Sequence, residues 1–257
     1  MGWKYKKSEG EILVKQNKYD DQGFFENYKQ LPRSIKGLEG AGEWSAFRAM
    51  FPDLSDRKVL DLGCGFGWHC RYVREQHAST VVGVDISRNM LERARLMTDD
   101  TNIEYVQSAI EDYDYPANEF DVVISSLALH YIRDFEDICK KVYQSLTVGG
   151  SFVFSVEHPV FTSVAEQDWY YSPDGKKLHW PLDHYHEEGA RQSRFLDNDV
   201  TKYHRNIATQ INALVKTGFQ FREMSELKPE REQIEDPEWH DAYRRPIFLL
   251  IAADKQV

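Results

Sequence analysis

Residues 59–67 read VLDLGCGFG, an apolar run followed by Gly63, Gly65 and Gly67. A strand that leads through glycines into a helix presents backbone N–H groups at the carboxyl end of a sheet, where open α/β folds bind ligands. A dinucleotide fingerprint would place its third glycine at position 68, but that position holds Trp68. The turn therefore predicts a ligand site at the strand end, for a ligand other than NAD.

An acidic residue at the end of the next apolar run supports a nucleoside ligand. Asp85 closes the sequence VVGVD, 22 residues beyond Gly63. A carboxylate at this place in such folds accepts hydrogen bonds from ribose hydroxyls. The two features together predict a ligand of the adenosine type.

Short β-rich runs alternate with helical periodicity and predict a parallel sheet covered by helices on both faces. The predicted strands are 58–62, 80–84, 103–107, 120–125 and 151–156, with two more near 219–226 and 246–252. Ser87 is predicted to cap one helix. Gly149 and Gly150 are predicted to end the helix that starts at Phe135, and Gly218 to end the last one.

The order of these elements predicts one large α/β domain with two additions. Residues 1–45 have no strand character and are expected to form an N-terminal lid. Residues 46–257 form the domain, and residues 157–205 interrupt it as an insertion that is rich in aromatic and histidine residues. The insertion has too little aliphatic content for a core of its own.

Composition limits the classes of partner. The chain has 257 residues, 41% of them hydrophobic, and 32 Lys and Arg against 42 Asp and Glu give a net charge of −10, which disfavours nucleic acid. The first fifteen residues lack a signal-peptide apolar region, and the run at 247–253 is too short to cross a bilayer. Three cysteines without a C-x-x-C pair favour reduced thiols. We therefore expect a cytoplasmic protein that binds no membrane.

The combined motifs resemble the class I S-adenosylmethionine-dependent methyltransferases, of the small-molecule, ubiquinone-biosynthesis-like type. The matching stretches are VLDLGCGFG (59–67), VVGVDIS (81–87), FDVVISSLALHYI (120–132) and SLTVGGSFVFS (145–155). The resemblance implies a Rossmann-like, seven-stranded, mostly parallel sheet whose last strand is antiparallel. It also implies S-adenosylmethionine as cofactor, S-adenosylhomocysteine as product, and a small-molecule acceptor.

The resemblance further implies roles for matching residues. Gly63, Gly65 and Gly67 would face the methionine and ribose parts of the cofactor, Asp85 would hold the ribose diol, and Ile86 would pack against adenine.

Two further stretches match with less detail. Such proteins usually carry an acidic residue for the adenine amino group where this chain has Ala109, so either the backbone of Ala109 and Ile110 makes the contact or Glu111 supplies the carboxylate. Ser125 and Ser126 resemble the place where main-chain carbonyls meet the methionine ammonium; a polar pair at a strand end would look the same.

The N-terminal segment supplies two more candidates for the cofactor. Tyr28 is expected to close over it, and Arg33 to pair with its carboxylate through a bidentate bond. Packing of an amphipathic N-terminal helix would explain the same residues.

Methyl transfer from a sulfonium requires in-line positioning of the acceptor, and a general base only if the acceptor must lose a proton. His130 follows the fourth strand and His158 the fifth, so both are candidate bases above the carboxyl edge. His158 is preferred because Pro159 fixes an extended backbone there. Tyr131, which follows His130, and Glu157, which precedes His158, are expected above the same edge of the sheet.

The insertion itself has two readings. His179, His184 and His186 raise a metal hypothesis, but they lack cysteine partners and helical spacing, and no metal is predicted. Its aromatic residues would form a cap over a planar or hydrophobic acceptor, or else a protein interface. They are Phe161, Trp169, Tyr170, Tyr171, Trp180, Tyr185 and Tyr203.

Two other functions remain open at this point. A nucleic-acid methyltransferase that acts on exocyclic base nitrogens typically carries an Asn/Asp-Pro-Pro-aromatic motif after the fourth strand, where this chain has SSLA. A cofactor-binding protein without transferase activity would keep the same glycine turn. The identity of the acceptor, the methylated atom and the oligomeric state do not follow from the sequence.

Overall fold

The computed structural model describes residues 15–229 and 237–256. Residues 1–14 of the predicted lid lie outside the described residues. Within the described ranges the strands β1–β11 are Lys58–Leu62, Thr80–Asp85, Ile103–Gln107, Phe120–Ser126, Leu146–Glu157, Tyr170–Tyr171, Lys177–His179, Gly189–Phe195, Asn198–His204, Phe219–Glu226 and Phe248–Lys255. The helices α1–α9 are Gln22–Tyr28, Pro32–Ile35, Trp44–Ala49, Trp68–Glu75, Arg88–Leu96, Phe135–Ser145, Pro159–Thr162, Ile207–Thr217 and Pro237–Arg244.

Seven of these strands form one sheet in the order β10-β11-β5-β4-β1-β2-β3. The pairs among β1 to β5 are parallel, and β11 runs antiparallel to both β5 and β10. This confirms the Rossmann-like sheet that the family resemblance implied, with its last strand antiparallel. The carboxyl ends of β1, β2, β4 and β5 therefore meet at one edge.

The core lies on both faces of this sheet. Strand β1 shows why: Leu60 and Leu62 belong to a buried cluster with residues of α6 and α8, whereas Val59 belongs to a second cluster with residues of α3, α4 and α5. Burial on both faces explains the nearly continuous apolar runs of the central strands. The same burial fixes the residue at which each strand ends.

The prediction that Gly149 and Gly150 end the helix is wrong. Helix α6 ends at Ser145, and Leu146 already begins β5 and pairs with Phe120. Leu146 is fully buried in the core, so packing rather than glycine stops the helix. The glycines instead lie in a register shift of β5 against β4, where Gly149 has a φ of 80°.

The insertion folds into two hairpins outside the main sheet, β6 with β7 and β8 with β9. Its first part is helix α7, directly after β5. Among the helices that the structure describes, none has the length and apolar character that crossing a membrane requires.

Candidate functional site

A cavity of about 820 Å³ lies at the carboxyl edge of the sheet. Its wall includes the turn after β1, the end of β2, the segments after β3, β4 and β5, the N-terminal segment and the β8–β9 hairpin. The cavity thus touches both additions to the α/β domain. Its volume is in the range usual for small-molecule sites.

The glycine turn contains three glycines for two different reasons. A Cβ on Gly63 would lie 2.4 Å from the Cβ of Ala128, and one on Gly67 would lie 2.1 Å from the Tyr105 hydroxyl. Those two glycines make room for the protein's own side chains. A Cβ on Gly65 would meet nothing within 4 Å, although its φ is 52°. Gly63 and Gly65 line the cavity, whereas Gly67 is not in its wall.

Asp85 is held in place by the backbone of two turns. Its Oδ2 accepts a hydrogen bond from the N–H of Gly65 at 2.9 Å, and its Oδ1 accepts one from Ser87 at 2.8 Å. Burial raises the pKa of this carboxyl to about 6, against the effect of those two N–H donors. Asp85 and Ile86 both line the cavity, next to the glycine turn.

The segment after β3 forms the neighbouring wall. Ala109, Ile110 and Glu111 all line the cavity. Lys15, from the N-terminal segment, also lines it and forms an ion pair of 2.5 Å with Asp112. The structure therefore brings these predicted residues together with Asp85, and the choice between backbone and Glu111 stays open.

The N-terminal segment crosses the cavity and is attached on both sides. Asp20 accepts hydrogen bonds from the Ser87 hydroxyl at 2.6 Å and from the N–H of Asn89 at 3.0 Å, at the start of α5. On the other side, the Gln16 side chain accepts a 2.6 Å hydrogen bond from the N–H of Thr201 in β9. This segment places Tyr28 in the cavity wall.

Arg33 also lines the cavity, and its partner was missed by the sequence analysis. Its Nη2 donates to both carboxylate oxygens of Glu43, at 3.0 and 2.9 Å, and Glu43 is only 1% exposed. Glu43 comes ten residues later, in a stretch without any motif. A ligand carboxylate would therefore meet an arginine whose charge is already compensated.

The two serines at the end of β4 take different places. Ser125 is buried and donates to the carbonyl of Leu62 at 2.7 Å, and it is not in the cavity wall. Ser126 lines the cavity, and its hydroxyl lies 3.4 Å from Glu43 Oε1. Only the second serine can touch a ligand with its side chain.

His130 lines the cavity and is neutral. Burial lowers its pKa to about 4, although the nearby Glu157 acts in the opposite direction. Its Nδ1 accepts a hydrogen bond from the backbone N–H of Glu157 at 3.4 Å. A neutral imidazole that accepts at Nδ1 carries its proton on Nε2. In this tautomer His130 presents a donor, whereas the role of general base stays a prediction.

His158, the preferred candidate base, lies outside the cavity wall and is 1% exposed. Its Nδ1 accepts a hydrogen bond from the N–H of Val160 at 3.0 Å and so caps α7. Its Nε2 lies 2.9 Å from Glu226 Oε1. Both ring nitrogens therefore have partners within the protein. Pro159 begins helix α7 and does not extend the chain along the edge of the cavity.

The residue before it occupies the cavity instead. Glu157 lines the wall, and its Oε1 lies 2.6 Å from the ammonium of Lys202. Its Oε2 accepts a hydrogen bond from the Gln167 amide at 2.9 Å, and Gln167 in turn accepts one from Lys202 at 2.8 Å. Glu157 was a candidate from the sequence, whereas Lys202 and Gln167 were not. Burial alternates along β9 at Val200, Lys202 and His204, but a lysine and a histidine leave no hydrophobic alternation in the sequence.

The aromatic residues of the insertion divide into two groups. Phe161 and Tyr203 line the cavity. Trp180 is not in the cavity wall, but it stacks on Phe161 with 5.2 Å between the ring centroids. The Arg245 guanidinium lies 4.1 Å from the centroid of the Trp180 ring. The other predicted cap residues, Trp169, Tyr170, Tyr171 and Tyr185, are not in the cavity wall.

The histidines of the insertion have other partners. The His179 ring stacks on Tyr170 at 5.1 Å, and His184 Nδ1 lies 3.1 Å from Glu187 Oε1. In residues 15–229 and 237–256, the structure shows no group of three His, Cys, Asp or Glu side chains that could hold a metal ion.

Comparison with known proteins agrees with this geometry. Residues 60–154 match the model of a methyltransferase domain family. A solved structure from Listeria monocytogenes, assigned to the S-adenosylmethionine-dependent methyltransferases, is 52% identical, with a TM-score of 0.79 over 84% of this chain and 99% of that one.

Two further relatives broaden the comparison. The crystal structure of an S-adenosylmethionine-dependent methyltransferase from Mesorhizobium loti is 42% identical, with a TM-score of 0.80 over 85% of this chain and all of the other. A sarcosine/dimethylglycine N-methyltransferase of Halorhodospira halochloris is 32% identical over 39% of this chain and 37% of its own length.

Proposed function

Because the chain belongs to the class I S-adenosylmethionine-dependent methyltransferases, we propose that it transfers a methyl group to a small-molecule acceptor bound in the cavity beside the cofactor. One observation carries the proposal. A single cavity of about 820 Å³ touches both the glycine turn with Asp85 and the polar group around Glu157. That space suits a nucleoside cofactor together with a compact second molecule.

The residues at the sheet edge fit the cofactor. The open space beside Gly65 leaves room for a ligand against the backbone, and the Asp85 carboxylate lies in the same wall. We assign Asp85 to the ribose hydroxyls, Ile86 to the adenine face, and Ala109, Ile110 and Glu111 to the adenine edge. Tyr28 and Arg33 would close this half from the N-terminal segment. Bound S-adenosylmethionine supplies an electrophilic methyl group on its sulfonium.

The chain's own contribution to the reaction is position and exclusion of water. The N-terminal segment is tied to α5 by Asp20 and to β9 by Gln16, so it covers the cavity from two fixed points. His130 offers an N–H donor to the acceptor. Methyl transfer in a water-poor site needs little more than correct alignment.

A nucleic-acid acceptor fits this arrangement less well. Its backbone would require a basic surface, whereas the chain carries a net charge of −10. The N-methyltransferase relative named above acts on sarcosine and dimethylglycine, according to its name, which supports a small acceptor here by analogy.

The test is transfer of a labelled methyl group. The protein is incubated with methyl-labelled S-adenosylmethionine and either a protein-free metabolite extract or total RNA. Label in small molecules, lost in Gly65→Val, is the expected result. Label in RNA and not in small molecules would contradict the proposal.

A further inference from the structure

The acceptor end of the cavity is built around one carboxylate. We propose that Glu157 selects the acceptor: it accepts a hydrogen bond from an N–H or O–H group of the acceptor and excludes an acceptor with an anionic group at that position. This role rests on the proposed function, because it needs a small molecule in the cavity.

Glu157 is the accessible member of its ion pair. Its side chain is 13% exposed, against 2% for Lys202, and both residues line the cavity. Each carboxylate oxygen has one described side-chain donor, Lys202 on Oε1 and Gln167 on Oε2. A carboxylate can accept about four hydrogen bonds. Glu157 therefore keeps capacity for a donor from the cavity.

The side chain of Lys202 is only 2% exposed, and its ammonium already has partners. Its ammonium donates to Glu157 and to Gln167, and it lies 5.6 Å from the ring centroid of Phe195 and 6.0 Å from that of Phe161. An anion placed against Glu157 would therefore meet a carboxylate that is more exposed than the ammonium paired with it. Arg194, another cation of the wall, is 72% exposed in its side chain and lies near Asp197.

The surroundings keep Glu157 in its acceptor form. Burial by itself would raise its pKa, but the Lys202 ammonium and the Gln167 amide, which both donate to the carboxylate, hold the pKa below the ordinary value. The carboxylate is thus ionised at neutral pH and can only accept. Phe161, Phe195 and Tyr203 line the same end of the cavity and suit an apolar body on the acceptor.

Three probes that share one ring but differ in their polar group test this role. Benzylamine and benzyl alcohol offer donors, and benzoate offers only an anion. Each is titrated into protein saturated with S-adenosylhomocysteine at pH 7.5, with binding followed by ligand-detected NMR. We expect both donor probes to bind at least about tenfold more tightly than benzoate, since a hydrogen bond to a charged group is worth that much.

A charge-free variant is the critical comparison. Glu157→Gln with Lys202→Met keeps the size of both side chains and leaves no buried charge unpaired. In this double variant the affinities for the donor probes and for benzoate should differ by no more than about twofold. Glu157→Gln alone leaves Lys202 uncompensated and should favour benzoate. Glu187→Gln removes an exposed carboxylate of the insertion and should keep the wild-type preference.

The possible failures are distinguishable. If the double variant binds S-adenosylhomocysteine and keeps the wild-type preference, Glu157 does not select the acceptor, while a small-molecule cavity stands. If methyl label from S-adenosylmethionine reaches RNA and not small molecules, the small-molecule acceptor itself is contradicted, and the role of Glu157 with it.

Discussion

The two halves of the cavity are constructed differently. In the half that we assign to the cofactor, the contact between Asp85 and Gly65 joins a strand end to the backbone of a turn 20 residues earlier. In the acceptor half, the contact between Glu157 and Lys202 joins two side chains 45 residues apart, one in the sheet and one in a hairpin outside it.

The difference teaches which half can vary. The cofactor half depends on where buried parallel strands end, and the core on both faces of the sheet fixes those positions. The acceptor half depends on side chains of the β8–β9 hairpin, which pairs with no strand of the main sheet. A change of acceptor can therefore arise in the hairpin without rebuilding the cofactor site.

Gly65→Val should have the largest effect, loss of measurable cofactor binding. The new side chain would fill the open space beside the turn, where we place the cofactor. The matched control is Gly149→Val, since Gly149 also has a positive φ, of 80°, and nothing within 4 Å of its Cβ position, but it lies outside the cavity wall. Both variants carry the strain of a β-branched residue at positive φ. Calorimetric titration with S-adenosylhomocysteine should show binding only in the control; equal affinities would make the turn purely structural.

Lys202→Met should lower the free energy of unfolding by about 3–5 kcal/mol, because it leaves the buried Glu157 carboxylate without its partner. Adding Glu157→Gln should restore most of the loss. The exposed ion pair of Lys58 with Glu119 is the control, and Lys58→Met should leave the stability nearly unchanged. Urea unfolding measures all three. A loss of less than 1 kcal/mol in Lys202→Met would mean that the acceptor half does not depend on this pair.

Cofactor affinity should fall as the pH drops below about 6, the value to which burial raises the pKa of Asp85. A protonated Asp85 accepts ribose hydrogen bonds poorly, so each further pH unit should weaken binding up to about tenfold until the pKa of the complex is reached. Burial also raises the pKa of the nearby Asp61, to about 7, and Asp85→Asn separates the two carboxyls. Titration between pH 5 and 8 should show the dependence in wild type and not in Asp85→Asn. If the pH dependence of cofactor affinity persists in Asp85→Asn, the titrating carboxyl is that of Asp61 and not that of Asp85.

Asp20→Ala should have the smallest effect, a loss of about 1 kcal/mol in cofactor affinity, or roughly fivefold, the size typical of a lost helix cap. It releases the N-terminal segment from Ser87 and Asn89 at the start of α5. Asp53 accepts from the N–H and hydroxyl of Ser55 in a similar way, outside the cavity wall, so Asp53→Ala is the control. Stopped-flow dissociation of S-adenosylhomocysteine should be faster only in Asp20→Ala.

The same contrast decides how much could be predicted from sequence. The strands were found because burial on both faces leaves an apolar run, and the turn and Asp85 were found because they come directly after such runs. Neither Glu43 nor Lys202 follows an apolar run in the sequence. Glu43 is positioned by Arg33, ten residues earlier, and Lys202 by Glu157, which lies in another sheet. Their positions follow only from the packed structure.

His158 and Gly149 show how a correct local rule can mislead. The rule that a residue before proline is extended holds for His158, with φ of −66° and ψ of 142°, but that geometry serves as the N-cap of α7. The glycines at 149 and 150 do interrupt regular structure, but in strand β5, after the buried Leu146 has already ended the helix. In both cases tertiary packing determined the secondary-structure element to which the residue belongs.

The independence of the two halves is tested most directly by titrating S-adenosylhomocysteine into two variants side by side, Asp85→Ala and the charge-free Glu157→Gln with Lys202→Met. Loss of the carboxylate that we assign to the ribose should weaken binding by about 10- to 150-fold, the range for hydrogen bonds to a charged group. The double variant should bind within about twofold of wild type. Unchanged affinity in Asp85→Ala, or an equal loss in both variants, would contradict a cavity with separate cofactor and acceptor halves.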